Sequence, residues 1–213
     1  MTDIKAEAFL ITFEENQLGH DIRILDEKAT VADVVEALAA FARQRLYDCR
    51  GCDGCCYERA PLTSPDISAL AALTPNGSNP AQAVCRAFAE ISTDQTGIVD
   101  ITLKRDADGA CIFLDKESKN CANWPARPFV CRSHFCLPKS ERLQKLREEI
   151  TNRGENELIR LLLAEQAAGA PPMLPRSLRA ADYPPDAAFA NNHWENVAVK
   201  DIVPQKLWME LRK

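Results

Sequence analysis

A chain of 213 residues is long enough to bury a sizeable core without relying on cross-links. With 46% hydrophobic and 27% charged residues, wholesale disorder and fibrous architecture are excluded. The excess of 31 acidic over 26 basic residues, a net charge of −5, disfavours a general grip on nucleic-acid phosphates. No stretch approaches the roughly 20 apolar residues of a membrane span, so no membrane partner is expected either. The nine cysteines are about 4% of the chain, below the roughly 8–10% of a secreted disulfide scaffold. Met1 to Leu10 lacks the basic start and apolar stretch of a secretory signal. A reducing cytoplasm is therefore expected, where clustered cysteines bind metal or carry out redox chemistry.

Residues 1–48 read as a hairpin followed by a helix. Phe9, Ile11 and Phe13 alternate with their neighbours, residues 14–19 turn the chain, and Ile22 and Ile24 alternate again. Thr30, with Asp33 three residues on, is placed to cap a helix whose Val31, Val35, Leu38 and Ala42 fall at helical spacing. After the first cysteines, Ser64-Pro65-Asp66 reads as a helix start, with Ser64 as the capping hydroxyl. Residues 74–80 break that helix, and Val84, Phe88 and Ile91 mark the buried face of the next. Val99, Ile101 and Leu103 alternate as a strand, which Asp106-Ala107-Asp108-Gly109 is expected to turn into a partner running from Cys111 to Leu114.

Leu143, Leu146 and Ile150 share a helical face, a break is expected at Gly154, and a second helical run covers Leu158 to Ala168. The prolines at 171, 172, 175, 184 and 185 make residues 170–187 an extended strap, with a short helix from Pro204 to Leu211 after it. The expected class is α+β. Residues 1–48 form an N-terminal hairpin and helix, and 49–138 a small, mainly helical cysteine-cluster domain with short antiparallel hairpins. Residues 139–169 form a helical segment, and 170–213 a strap and terminal helix that pack back on the domain.

Cys49, Cys52, Cys55 and Cys56 form a CxxCxxCC run. A two-residue gap lets a tight turn bring two thiolates to one metal, and Gly51 and Gly54 permit the turns. Adjacent Cys55 and Cys56 point in different directions in most backbones, so one of them is free to serve a second ion. Cys111, Cys121, Cys131 and Cys136 bring the set to eight thiols, enough for two sites of four or one shared multinuclear cluster. Cys85 lies on an apolar helical stripe far from the others and reads as a core residue. Arg127 and Arg132 are placed to balance thiolate charge from just outside the ligands, and His134 to stand beside the site as a nitrogen donor or proton carrier.

These motifs resemble the CxxCxxCC cysteine-cluster family, described as zinc- or iron-chelating. Its pattern continues with a Leu-Thr-x-x-Asp-Ile phrase, a C-x-F-L and a C-x-x-Y-x-x-R-P-x-x-C-R. Here these are Leu62 to Ile67, Cys111 to Leu114 and Cys121 to Arg132, with Trp124 where the family usually has tyrosine. The resemblance covers Cys49 to Cys136, and a flagellin lysine methylase is a relative.

The chain has no GxGxxG, P-loop, HExxH or GxSxG motif, which disfavours a nucleotide-binding fold, a zincin protease and an α/β-hydrolase. The expected function is metal binding through clustered thiolates with a redox or sensory role, served by an unidentified protein or redox partner. An iron-sulfur cluster, 4Fe-4S first, is expected ahead of zinc. The alternatives are a methylase-type enzyme with the cluster at its active site and a zinc-stapled interaction module.

Overall fold

The computed structural model describes residues 3–44, 51–74 and 81–213. Strands β1 (Ala6–Thr12) and β2 (Leu18–Ile24) pair antiparallel from Ala6 opposite Ile24 to Thr12 opposite Leu18. Helix α1 (Val31–Gln44) starts where expected. The Thr30 backbone N–H donates to Asp33 Oδ2 (2.8 Å), and Asp33 N donates back to Thr30 Oγ1 (3.3 Å), so two end N–H groups are each taken up by the other residue's side chain. The helix lays Val31, Val34, Val35, Leu38 and Phe41 against the hairpin.

Helix α2 (Ser64–Ala71) is capped by Thr63, not by the expected Ser64. Pro65 then sits one position further into the first turn, where a missing N–H still costs nothing. Helix α3 (Ala81–Phe88) buries Val84 and Cys85 but ends before Ile91, which belongs to strand β3 (Ala89–Thr93). β3 pairs antiparallel with β4 (Val99–Leu103) across a turn built on Asp94, whose Oδ1 accepts from Thr96 N, Thr96 Oγ1 and Ile98 N. Gly97 takes the left-handed conformation (φ 88°) that the turn needs. The partner expected for β4 was the Cys111–Leu114 segment. Both edges of β4 are already used, one by β3 and the other by the segment entering α2, through Leu62 N to Ile101 O (2.8 Å) and Leu103 N to Ala60 O (2.9 Å). The Asp106–Gly109 turn forms, but it leads only to a single bridge between Arg105 and Cys111. Leu114–Asp115 (β5) instead pairs with Asn120–Cys121 (β6).

After the four-residue helix α4 (Phe129–Arg132) comes α5 (Glu141–Ala167), which is continuous through Gly154. Gly154 is a packing residue rather than a break. A Cβ there would stand 2.7 Å from Thr63 Cβ, so the bare backbone is what lets α5 lie against the cap of α2. Two apolar cores meet on α5. Leu143, Leu146 and Ile150 join the hairpin, α1 and the C-terminal helices α6 (Val199–Ile202) and α7 (Gln205–Leu211), whereas Leu158, Ile159 and Leu162 join α2, α3 and β4. The C-terminal segment closes the first core by pairing with the entry to α1, through Val31 N to Val197 O and Val199 N to Ala29 O (both 2.9 Å). No described helix is long and apolar enough to cross a membrane.

Two consequences can be measured. Gly154→Ala gains helix propensity of about 1 kcal/mol but drives a methyl into Thr63 at a cost of about 1–3 kcal/mol, so a net loss of up to about 2 kcal/mol is expected in chemical denaturation. His20 is wholly buried, donates from Nδ1 to Pro138 O (3.0 Å) and packs on Phe135 at 4.1 Å between ring centroids. Burial pushes its pKa down to about 4. The unfolded chain therefore binds the extra proton more readily, and this stabilising contribution, complete above about pH 6.5, is lost as pH falls toward 4. Thermal unfolding across that window should show a steeper acid loss in the wild type than in His20→Gln.

Candidate metal centre

The cysteine loops are brought together by backbone pairing before any metal is considered. Cys111 N donates to Cys56 O (2.8 Å), and Gly51 N donates to Asn120 Oδ1 (3.0 Å), which tie the CxxCxxCC loop to both downstream segments. Lys119 also pairs with Asp53 within that loop (3.7 Å). Leu114 opposite Cys121 sets the position of Cys121. Cys52, Cys55, Cys56, Cys111, Cys121 and Cys131 consequently line one cavity of about 60 Å³. That is room for ions and their ligand atoms, since small-molecule pockets usually reach roughly 300–1,000 Å³.

Cys131 rides on α4, and α4 is held at both ends by buried charged groups. Asp66 is fully buried. Its Oδ2 accepts from Thr63 N (3.0 Å) and Thr63 Oγ1 (2.6 Å), closing the cap of α2. Its Oδ1 accepts from Phe129 N (2.8 Å), at the start of α4, and from Trp194 Nε1 (3.3 Å). Burial raises the Asp66 carboxyl to about 6 against the opposing pull of these four donors. At the far end, Ser133 Oγ donates to Phe129 O (2.8 Å), while Arg147 on α5 donates to Ser133 Oγ (3.0 Å) and Val130 O (3.3 Å).

The thiols raise one another's pKa. Burial, followed by the neighbouring Cys111 and Cys121, pushes Cys56 up. Cys111 is raised by burial and by Cys121 and Cys55, and Cys131 by burial and by Cys111, Cys55 and Asp66, with Arg127 opposing. Each deprotonation makes the next harder, so a full set of thiolates is favoured only when a cation compensates the charge. The donor chemistry therefore fits a soft, thiolate-preferring metal. No group of three His, Cys, Asp or Glu side chains among the described residues is already arranged to hold an ion.

Other expected site residues separate into two groups. Arg127 and His134 line the cavity. The Arg127 guanidinium lies 3.6 Å over the Trp124 ring, and its buried Nε–H has no hydrogen-bond partner. His134 is kept neutral, its pKa lowered by burial and by Lys139 and Arg147. Cys136 is exposed, and neither it nor Arg132 is among the cavity-lining residues. Cys49 lies outside the described residues. Cys85 is buried in the α3 core, with burial pushing its thiol up to about 12. Trp124 serves as the platform for Arg127.

Residues 48–153 match the model of the CxxCxxCC family, described as a "putative zinc- or iron-chelating domain". This part of the chain belongs to that family. The match extends past Cys136 through the first half of α5 and so includes Arg147. No curated protein and no solved structure matches the chain.

Asp66, Asn123, Arg147 and Trp194 escaped the reading of the sequence as parts of the site. Asn123, buried at the cavity wall, donates to Ala126 O (3.0 Å) and shapes the turn before Arg127. Asp66 carried a signal, since it is the third helical residue after Thr63 in the Leu-Thr-x-x-Asp-Ile phrase, but that phrase is sufficiently explained as a helix cap. Arg147 and Trp194 carried none, because neither stands near a cysteine in sequence.

Proposed function

We propose that the chain holds one shared metal centre, rather than two separate four-cysteine sites, and uses it in a redox or sensory role in the cytoplasm. The observation that supports this reading is the convergence of six cysteines, from three separate loops and a short helix, on one small cavity. Cys111 is an electrostatic neighbour of Cys55, Cys56, Cys121 and Cys131, so these thiols form one charge cluster rather than two separate ones. An iron-sulfur cluster is the first assignment and thiolate-bound zinc the alternative; iron-sulfur would supply electron transfer, whereas zinc has no redox chemistry of its own. Exposed Cys52 and Cys55 leave the centre open to solvent on one side, where a partner protein or an oxidant can reach it. Anaerobic purification with metal and sulfide analysis tests the reading. Visible absorbance with equimolar iron and sulfide supports iron-sulfur, colourless protein with zinc supports the alternative, and the absence of bound metal overturns both.

The ligand assignment has its own test. Cys52→Ser should lower bound metal, whereas Cys85→Ser should leave it unchanged and cost only modest stability, because its thiol is sealed in the α3 core.

Arg127 is assigned to balance the charge of the loaded centre, since it lines the same cavity as the six cysteines, is a charge neighbour of Cys131 and has a buried Nε–H without a partner. Arg127→Lys keeps the charge but loses the planar stack on Trp124 and that donor. Electrochemistry of the reconstituted protein should show a shifted potential at unchanged metal content.

A further inference from the structure

We infer that Trp194, which lies beyond the family segment, is a positioning residue for Cys131, acting through the shared carboxylate of Asp66. This inference rests on the metal reading above.

A four-residue helix cannot hold itself, because fixing one turn costs more conformational freedom than its few hydrogen bonds return. The direction in which Cys131 points is thus set by whatever holds α4. The first N–H of α4, on Phe129, has no helical partner, and Asp66 Oδ1 supplies one at 2.8 Å. The same oxygen accepts from Trp194 Nε1, while Oδ2 is fully occupied by the two donors of Thr63. The carboxylate is therefore aimed by three residues: Thr63 fixes one oxygen, and Phe129 and Trp194 share the other.

Trp194 acts on α4 by a second route as well. Its ring packs on Phe129 at 5.3 Å between centroids and against Phe189 at 6.3 Å. The segment carrying Trp194 is itself anchored, through Val197 and Val199, to the start of α1. The C-terminal part of the chain thereby reaches a cysteine of the cavity by a continuous path: Trp194 to Asp66, Asp66 to Phe129 N, and α4 to Cys131.

Trp194→Phe keeps an aromatic ring for Phe129 and Phe189 but removes the N–H. Phe189→Leu provides the structural comparison, since it loosens the packing around Trp194 without touching Asp66. Zinc(II) alone is titrated into each apo protein against a competing chelator, and the thermal midpoint of each apo protein is measured alongside. Trp194→Phe should weaken zinc binding roughly fivefold to tenfold, less than the full loss of a hydrogen bond to a charged acceptor because only part of that loss is transmitted through α4 to Cys131. Phe189→Leu should stay within about twofold of wild type even where its thermal midpoint falls. Trp194→His, which returns a ring N–H, should recover part of the affinity. Wild-type affinity in Trp194→Phe, or an equal weakening in Phe189→Leu, would overturn the positioning role. A wild type that binds no zinc or iron at all would instead remove the metal reading, and this inference with it.

Discussion

The buried carboxylate of Asp66 is the constraint that fixes α4, and with it Cys131, against the rest of the protein. A carboxylate deprived of water is costly unless its lone pairs are taken up, and here four donors from three parts of the chain take them. Each donor solves a problem of its own in the same contact: Thr63 caps α2, Phe129 starts α4, and the Trp194 indole finds a partner inside the protein. Because the side chain is fully buried, these elements cannot shift independently. The bare backbone of Gly154 completes the arrangement by letting α5 pack directly on Thr63.

Around that anchor the protein sets the burial of thiols against the placement of positive charge. Cys56, Cys111 and Cys131 are half-buried beside one another, which disfavours their ionised forms. Arg127 at the cavity wall and Arg147 behind α4 are the cations placed to oppose this, and burial disfavours the charge on Arg147 as well. A cavity that resists becoming anionic while gathering six soft donors is suited to a bound cation.

The two cores share α5, so the helix that completes the hairpin core also backs the cysteine region. Ser140 and Arg142 tie its first turn to Asp21 of β2, at 2.6 and 2.7 Å, and Arg147 reaches α4 one turn later. The N-terminal hairpin and the C-terminal helices, which lie outside the family segment, thus form the frame that holds α5 in place.

Much of this was legible locally. The hairpin of β1 and β2, the Thr30–Asp33 cap and the cysteine motif all depend on residues a few positions apart, and so does the resemblance to the CxxCxxCC family. The partner of β4 was not, because the Asp94 turn and the Asp106 turn are both good turns, and only the occupied edges of β4 decide between them. Gly154 read as a break because glycine weakens a helix by itself; its real role needs Thr63, ninety-one residues earlier. Cysteine identity and spacing by themselves determined that this is a thiolate-rich, metal-seeking domain, since ligand chemistry resides in the side chains. Which thiols share a cavity, and that Asp66, Arg147 and Trp194 hold one of them in place, only the tertiary structure decided, because those contacts join residues whose proximity exists only once both cores have closed on α5.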